Sequence, residues 1–228
     1  MARMARAVAV GVAHHVTQRG VNREQVFFTD GDRRTYLEWL VEHAYHARLK
    51  ILAYCLMDNH IHMVAVPEEP ESLAVALRRA HSRYSQYLNS RRRRVGHLWQ
   101  NRYHSCAMDE RHLGVALRYV ERNPVRANLV QRPEEYEWSS APAHLGEDRN
   151  TGLLDWAFYD EFGGKERWAA LLAEPEELVE IRLLQRGTFT GRPVGDAAFV
   201  GRMEEQLGRS LALKRKPRKL MRLEAAAW

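Results

Sequence analysis

The sequence predicts an α+β fold in which helices pack on an antiparallel sheet. Short runs rich in β-branched residues alternate with longer segments whose apolar residues recur at helical spacing. Two of the short runs adjoin, and Asp58-Asn59 between them is typical of a hairpin turn. The chain of 228 residues can bury a real core and carry an extension beyond one domain.

The first part of the chain predicts a strand, a helix and then the hairpin. β-branched residues between positions 8 and 17 favour the strand, which Gly20 and Asn22 end. Asp30 is expected to cap a helix that runs to about residue 47. The segments LKILAYCLM and HIHMVAVP then form the two strands of the hairpin.

A second helix, a further strand and a third helix follow. Helical spacing predicts the second helix from about residue 72 to 88, and HLWQNRYHSCAM favours a strand. Asp109 is expected to cap the third helix, which must stop near Asn123 because Pro124 disfavours helix in the residue before it. The order β-α-β-β-α-β-α predicts an α+β sandwich that resembles a ferredoxin-like fold.

The composition changes after YEWSSAPAHLG, which predicts a boundary between residues 1–146 and 147–228. The second segment is polar and helical in pattern. Pro175 is expected to begin a helix that Gly187 ends, and Asp196 to cap another. We therefore expect a small, separate helical extension with a basic tail.

The charge of the chain indicates a polyanionic partner. Thirty-five Lys and Arg residues against 29 Asp and Glu residues give a net charge of +6 and a pI near 9.5. Nucleic acid is the first expectation, and an anionic membrane surface is the second. Two clusters carry much of this charge, although each alone is also compatible with a solvated surface segment. They are Arg91 to Arg94, and a tail group of Lys214, Arg215, Lys216, Arg218, Lys219 and Arg222.

Cysteine usage and hydropathy predict a cytoplasmic protein. Cys55 and Cys106 lie in apolar segments, so we expect two buried thiols rather than a disulfide framework or a cysteine zinc site. The start MARMARAVAVGVAHH lacks a small-residue cleavage site, and no run of 18 apolar residues could span a membrane. A basic protein of this kind is expected in the cytoplasm, with no membrane partner.

His60 and His62 form the first candidate functional group. Residues two apart in a strand project to the same face, so both imidazoles can reach one ion while Ile61 and Met63 point into the core. Two histidines on a half-exposed strand are the alternative interpretation.

Three known histidine motifs do not fit this pair. A zincin needs His-Glu-x-x-His, whereas Ile61, His62 and Met63 follow His60. A histidine-triad hydrolase would carry a third histidine where Val64 stands. The segment VAVP also lacks the Asp-His of a metallo-β-lactamase. A histidine-hydrophobe-histidine pair in a basic protein remains.

Tyr119 is a further candidate functional residue. It falls at the edge of the apolar face of the helix that Asp109 caps, so it is expected to be anchored and yet reach solvent. Asn123 lies four residues later on the same edge and could offer an amide oxygen to the same ion. A structural tyrosine and a helix-terminating asparagine are the alternatives.

Five blocks around these residues resemble a known family. VTQRGVNREQVFF, LAYCLMDNHIHMV, GHLWQNRYHSC, LRYVERNPVRANLV and YEWSSA occur in that order. Together they are similar to the blocks of the REP-associated tyrosine transposases, which belong to the HUH single-strand DNA transposases and carry an IS200-like transposase domain. The likeness covers roughly residues 8 to 145, and TGRPVGDAAFV with LGR is similar to C-terminal extensions in that group.

The resemblance implies the roles of the candidate residues. It implies that Tyr119 is the nucleophile. It also implies that His60, His62 and Asn123 are ligands of a divalent ion, Mg²⁺ or Mn²⁺. The expected reaction cleaves and rejoins single-stranded or hairpin DNA of palindromic repeats through a 5′-phosphotyrosine. Arg19, Asn22 and Arg23 match the early block, and Arg102 and Tyr103 follow Trp99 in a later one, so these five are the expected DNA-binding residues.

Two other function classes stay open at this point. One is a DNA- or RNA-binding regulator that keeps the fold without turnover. The other is a metal-dependent phosphodiesterase that uses water and leaves Tyr119 dispensable. Both a monomer and a homodimer are compatible with the sequence.

Overall fold

Four antiparallel strands form the centre of the computed structural model, which describes residues 6–146 and 152–211. The strands are β1 (His14–Arg19), β2 (Leu49–Met57), β3 (His60–Pro67) and β4 (His104–Ala107). Their order in the sheet is β2-β3-β1-β4, and every neighbouring pair is antiparallel. The prediction of an α+β fold with a ferredoxin-like antiparallel sheet is confirmed.

Helices cover both faces of this sheet. They are α1 (Asp30–His46), α2 (Ser72–Arg92), α3 (Glu110–Glu121), α4 (Asn123–Arg126), α5 (Ala141–Leu145), α6 (Trp156–Phe162), α7 (Gly164–Ala173), α8 (Leu178–Thr190) and α9 (Ala197–Leu207). Short 3₁₀ turns lie at Val21–Arg23 and Pro133–Glu135. Helices α1 and α2 pack on the first face of the sheet, and α3 and α8 pack on the second.

An apolar core closes the first face under α1 and α2. Ile61 and Met63 of β3 are fully buried there, as the strand alternation predicts. Tyr36 and Tyr84 are also fully buried, which confirms them as packing residues. This core anchors the hairpin and thereby fixes the direction of the side chains on its other face.

The second face is covered partly by residues beyond the predicted boundary at residue 146. Trp168 of α7 and Leu184 of α8 are fully buried with Leu117 of α3 and Val64 of β3. The described part of the second segment is helical, as expected, and it packs on the first segment rather than standing apart from it. The two segments therefore share a core.

Several element boundaries differ from the prediction. Strand β1 begins at His14 rather than near residue 8, because Ala7 and Ala9 pack beside α9 instead of joining the sheet. Strand β4 is shorter than predicted, because the chain before it turns through Asn101, whose φ is 57°. Helix α1 is capped by Thr29, whose side chain accepts a hydrogen bond from the Asp32 N–H, rather than by Asp30.

The sequence predicts that Gly187 ends helix α8, but the helix continues to Thr190 and Gly191 caps it. Gly191 has φ of 70°, the left-handed conformation that glycine adopts freely at a helix end. Gly187 lies inside the helix, where a Cβ atom would come within 2.2 Å of Val194 Cγ2. Its role is therefore close packing of α8.

The other end signals act as predicted. The carboxylates of Asp109 and Asp196 cap α3 and α9 through the N–H groups of His112 and Phe199. Helix α3 ends just before Asn123, which begins the short α4.

The thiols and basic clusters complete the comparison with the sequence. Cys55 and Cys106 are free and buried, as predicted, and burial raises the pKa of both, that of Cys106 to about 12. Arg91 to Arg94 lie at the end of α2, whereas the basic tail from Lys214 to Arg222 lies outside the described residues. No helix within residues 6–146 and 152–211 has the length and apolar character needed to cross a bilayer.

Candidate functional site

The β2-β3 hairpin places the two histidines on the second face of the sheet. In β3, His62 lies opposite Thr17 of β1, and His60 lies opposite Arg19. Both imidazoles line a cleft of about 490 Å³. The cleft is bounded by His15, Thr17, Arg19, His60, His62, Gln100, His104, Tyr119, Asn123, Gln185, Thr188 and Phe189. The predicted shared direction of the pair is therefore observed.

The proton position on His60 follows from its neighbour Asn59. The Asn59 amide nitrogen donates to the Arg23 carbonyl oxygen at 2.9 Å, so its amide oxygen faces His60 Nδ1 at 2.6 Å. His60 Nδ1 must then carry the proton, which leaves Nε2 with a free lone pair. Burial, with the positive charge of Arg19, lowers the pKa of His60 to about 4.

His62 is buried and is neutral at physiological pH. Burial lowers its pKa well below 6.5, and the neighbouring His60 and His15 act in the same direction. The His60 and His62 ring centroids are 4.9 Å apart, and His62 Nδ1 lies 3.0 Å from His15 Nε2. Neutral imidazoles of this kind are the form that binds metal ions.

Tyr119 of α3 packs against the histidines. Its ring lies edge-on to His62 and His15, with centroid distances of 5.5 and 5.6 Å. Gln185 of α8 donates a hydrogen bond to the Tyr119 hydroxyl oxygen at 3.1 Å, and the Arg126 guanidinium lies 4.1 Å from the ring centroid. Only 7% of Tyr119 is exposed, so it is less open to solvent than its edge position on α3 suggested, because α8 and Arg126 cover it.

Asn123 reaches the same cleft from the start of α4. It is 9% exposed, and its amide nitrogen has no hydrogen-bond partner among the described residues. Rotating an amide by a half-turn exchanges its nitrogen and oxygen, so this side chain can turn its oxygen to the cleft without breaking a bond at that nitrogen. The predicted neighbourhood of Tyr119 and Asn123 is present.

The donor atoms of the cleft fit a divalent ion. His60 Nε2 is free, His62 is neutral, and Asn123 adds an amide group. Imidazole and amide ligands suit Mn²⁺ better than Mg²⁺. No group of three or more His, Cys, Asp or Glu side chains in the described ranges could hold a metal. The candidate ligand set here is two imidazoles and one amide.

The expected DNA-binding residues divide between two places. Arg19 is exposed and lines the cleft. Asn22 and Arg23 follow it in an exposed turn with φ of 53° and 64°. Arg102 and Tyr103 instead line a second groove of about 570 Å³ beside α2.

Tyr103 is poorly placed for stacking on a base. It is 7% exposed, and the Arg6 guanidinium covers its ring at 3.6 Å from the centroid. Its hydroxyl and the Gln18 amide oxygen nevertheless have no hydrogen-bond partners among the described residues, although both side chains line the groove. Trp99 packs in the first core instead of facing solvent.

Sequence reasoning missed several residues in and around the cleft, of which four contact the candidate residues or one another. His15 could have been found by continuing the alternation across the neighbouring strand, since it lies beside Val64 and projects to the face of His62. Arg126, Gln185 and Thr188 carried no signal, because their contacts depend on how α4 and α8 pack.

The sequence matches the family model "Transposase IS200 like" over residues 9–123, a range that includes His60, His62, Tyr119 and Asn123. The chain belongs to the IS200-like transposase family. Among curated proteins, none matches it. As an IS200-like transposase, it carries the whole candidate group inside or at the edge of the matched range.

One solved structure shows the same fold. A REP-associated tyrosine transposase bound to a REP hairpin superposes with a TM-score of 0.56 at 16% identity, over 68% of this chain and 89% of that one. A transposase-like protein from Deinococcus radiodurans has 17% identity over 53% of this chain and 96% of its own, with a TM-score of 0.38. The first likeness extends the IS200-like fold assignment beyond the range of the family model.

Proposed function

We propose that the protein cleaves and rejoins single-stranded DNA, with Tyr119 as the nucleophile. The observation that carries the proposal is the packing of the Tyr119 ring 5.5 Å from His62 inside one cleft. The Tyr119 oxygen forms a bond to the scissile phosphorus, and the bond from phosphorus to the 3′ oxygen breaks. Tyr119 loses its proton in the attack, and the leaving 3′ oxygen gains one, so the products are a 5′-phosphotyrosine and a 3′-hydroxyl.

The surroundings of Tyr119 suit this attack. A tyrosine hydroxyl is a weak nucleophile until it loses its proton. The Gln185 N–H and the Arg126 charge both stabilise negative charge that develops on the oxygen. Because the phosphodiester energy is kept in the phosphotyrosine bond, a 3′-hydroxyl of a second strand can reverse the step without ATP.

His60, His62 and Asn123 are the proposed ligands of a divalent ion, Mn²⁺ or Mg²⁺. The ion would offset the charge of the scissile phosphate. The protein's own contribution is to present two neutral imidazoles and one amide from rigid elements, next to the nucleophile.

The proposed substrate is a palindromic repeat hairpin with an unpaired flank. The solved relative is bound to a REP hairpin, and Arg19 and Arg102 supply exposed positive charge at the cleft and at the groove. Binding should weaken roughly 10³-fold from 50 to 200 mM salt if about six phosphates are contacted. Equal binding to a blunt duplex, or salt-independent binding, would contradict this substrate.

One denaturing gel separates the possible functions. The parent, Tyr119→Phe and His60→Ala are each incubated with a labelled repeat hairpin, with Mn²⁺ or with EDTA. We expect a covalent adduct only when the parent is incubated with Mn²⁺. All three proteins should bind the hairpin. Cleavage by Tyr119→Phe without an adduct would indicate attack by water, and binding without any product would indicate a regulator. Undiminished cleavage by His60→Ala would remove the metal-pair model.

A further inference from the structure

Helix α8 approaches the sheet unusually closely at one point. Gly187 stands where a side chain would collide with Val194, and its missing Cβ would lie 3.6 Å from Cys106 Cβ of strand β4. The next residue, Thr188, is 2% exposed and lies over strand β1. The glycine thus brings a hydroxyl group from the C-terminal segment to the histidines of the cleft.

Three groups contact the Thr188 hydroxyl oxygen: the Leu184 carbonyl oxygen, His15 Nδ1 and, at 3.2 Å, Cys106 Sγ. Of these, only the carbonyl oxygen is unable to donate a hydrogen bond. Thr188 Oγ1 lies 2.8 Å from the Leu184 carbonyl oxygen, one turn earlier in the helix. A carbonyl oxygen has no proton, so the Thr188 proton must lie in this contact. His15 Nδ1 lies 2.7 Å from the same Thr188 oxygen. That oxygen can only accept there, so His15 Nδ1 must carry a proton.

The proton on His15 determines the proton on His62. His15 is 1% exposed, and its hydrogen-bond partners Thr188 and His62 carry no negative charge, so the neutral ring is the stable form there. A neutral His15 with its proton on Nδ1 has a lone pair on Nε2. His62 Nδ1, 3.0 Å away, must donate to it. The lone pair of His62 is then on Nε2.

We propose that Thr188 is a positioning residue that, through His15, holds His62 in the tautomer whose Nε2 is free to bind the metal ion. The metal-binding part rests on the proposed function, whereas the tautomer is a property of the protein itself. Hydrogen bonds behind a histidine ligand commonly fix its tautomer and its orientation in this way. The helical segment after residue 151 is accordingly part of the cleavage site.

His60 provides an internal control. Its proton is fixed by Asn59 and the Arg23 carbonyl group, which are far from α8 in the sequence. A change at Thr188 should therefore alter the tautomers of His15 and His62 and leave that of His60 unchanged.

Nitrogen NMR of ¹⁵N-histidine-labelled protein in EDTA tests the tautomers directly, because protonated and lone-pair ring nitrogens resonate in separate ranges. We expect Nδ1–H forms for His15, His60 and His62 in the parent. An Nε2–H form of His62 in the parent overturns the proposal, and this result does not depend on any variant or on activity.

Two substitutions test the role of Thr188. Thr188→Val keeps the shape and removes the acceptor, so His15 and His62 should shift to Nε2–H forms and the Mn²⁺ affinity should fall roughly 10- to 100-fold. Thr188→Ser should keep the parent tautomers and affinity. Unchanged tautomers in a folded Thr188→Val protein overturn the proposal, and if that variant does not fold, the parent spectrum decides. Failure of the proposed function would appear separately, as no adduct from a parent with the expected tautomers.

Discussion

The two faces of strand β3 differ in what their side chains do. Ile61 and Met63 are fully buried in the apolar core under α1 and α2. His60 and His62, one residue away from them, line the cleft with Tyr119. The period-two geometry of a strand lets one face anchor the fold while the other presents reactive groups. Stability and chemistry are thus carried by alternate residues of the same segment.

The largest expected effect is a loss of stability when a residue on the core face of β3 is replaced. Ile61→Ala leaves a cavity in the first core and should lower the free energy of unfolding by roughly 2–5 kcal/mol. The matched substitution His60→Ala removes a partly exposed ring and should cost less than about 1 kcal/mol. Urea unfolding of the metal-free proteins measures both. Equal losses of unfolding free energy would contradict the claim that the core face of β3 contributes more to stability than the cleft face.

A smaller effect is expected where α8 touches the second face. Gly187→Ala puts a methyl group against Val194 and should destabilise the protein by roughly 1–3 kcal/mol. Gly201→Ala in α9 is the control, because no atom lies within 4 Å of the added Cβ. That change should stabilise the protein by roughly 0.5–1 kcal/mol. Thermal unfolding that ranks the two variants in the opposite order would contradict the close packing of α8.

The effect that is smallest per unit of pH concerns the stability of the metal-free protein. His60 has a folded-state pKa of about 4, below its ordinary 6.5. Between these values the unfolded chain binds a proton that the folded protein does not, so stability falls as the pH drops from 6.5 towards 4. His60→Gln should flatten that fall by at most about 1.4 kcal/mol per pH unit. Parallel curves of unfolding free energy against pH would contradict a buried, neutral His60.

The parts of the site that the sequence predicts lie close together along the chain. The alternation of β3 predicts the shared direction of His60 and His62, and helical spacing predicts that Tyr119 and Asn123 are neighbours. These relations depend only on the repeat of a strand or a helix. The β2-β3 pairing follows from the same local patterns, because a two-residue turn joins these strands. The pairing of β1 with β3 and β4 joins distant parts of the chain.

The parts that the sequence does not predict depend on distant packing. Gln185 meets Tyr119 across 66 positions, and Thr188 meets His15 across 173. A glycine such as Gly187 is typical of a helix end in a sequence. Only its position beside Val194 shows that its missing side chain allows α8 to pack closely. A glycine pattern cannot by itself separate the two uses, because both need a missing side chain.

The central claim is that Tyr119 forms the bond to DNA, and mapping the adduct tests it most directly. Trypsin cuts after Arg118 and Arg122, so the peptide 119–122 contains Tyr119 as its sole tyrosine. The parent is incubated with Mn²⁺ and a repeat hairpin, digested with nuclease and trypsin, and examined by mass spectrometry. The account predicts a 5′-linked nucleotide on peptide 119–122. Cleaved DNA with no modified peptide, or a nucleotide on a peptide with another tyrosine such as Tyr103, would contradict it.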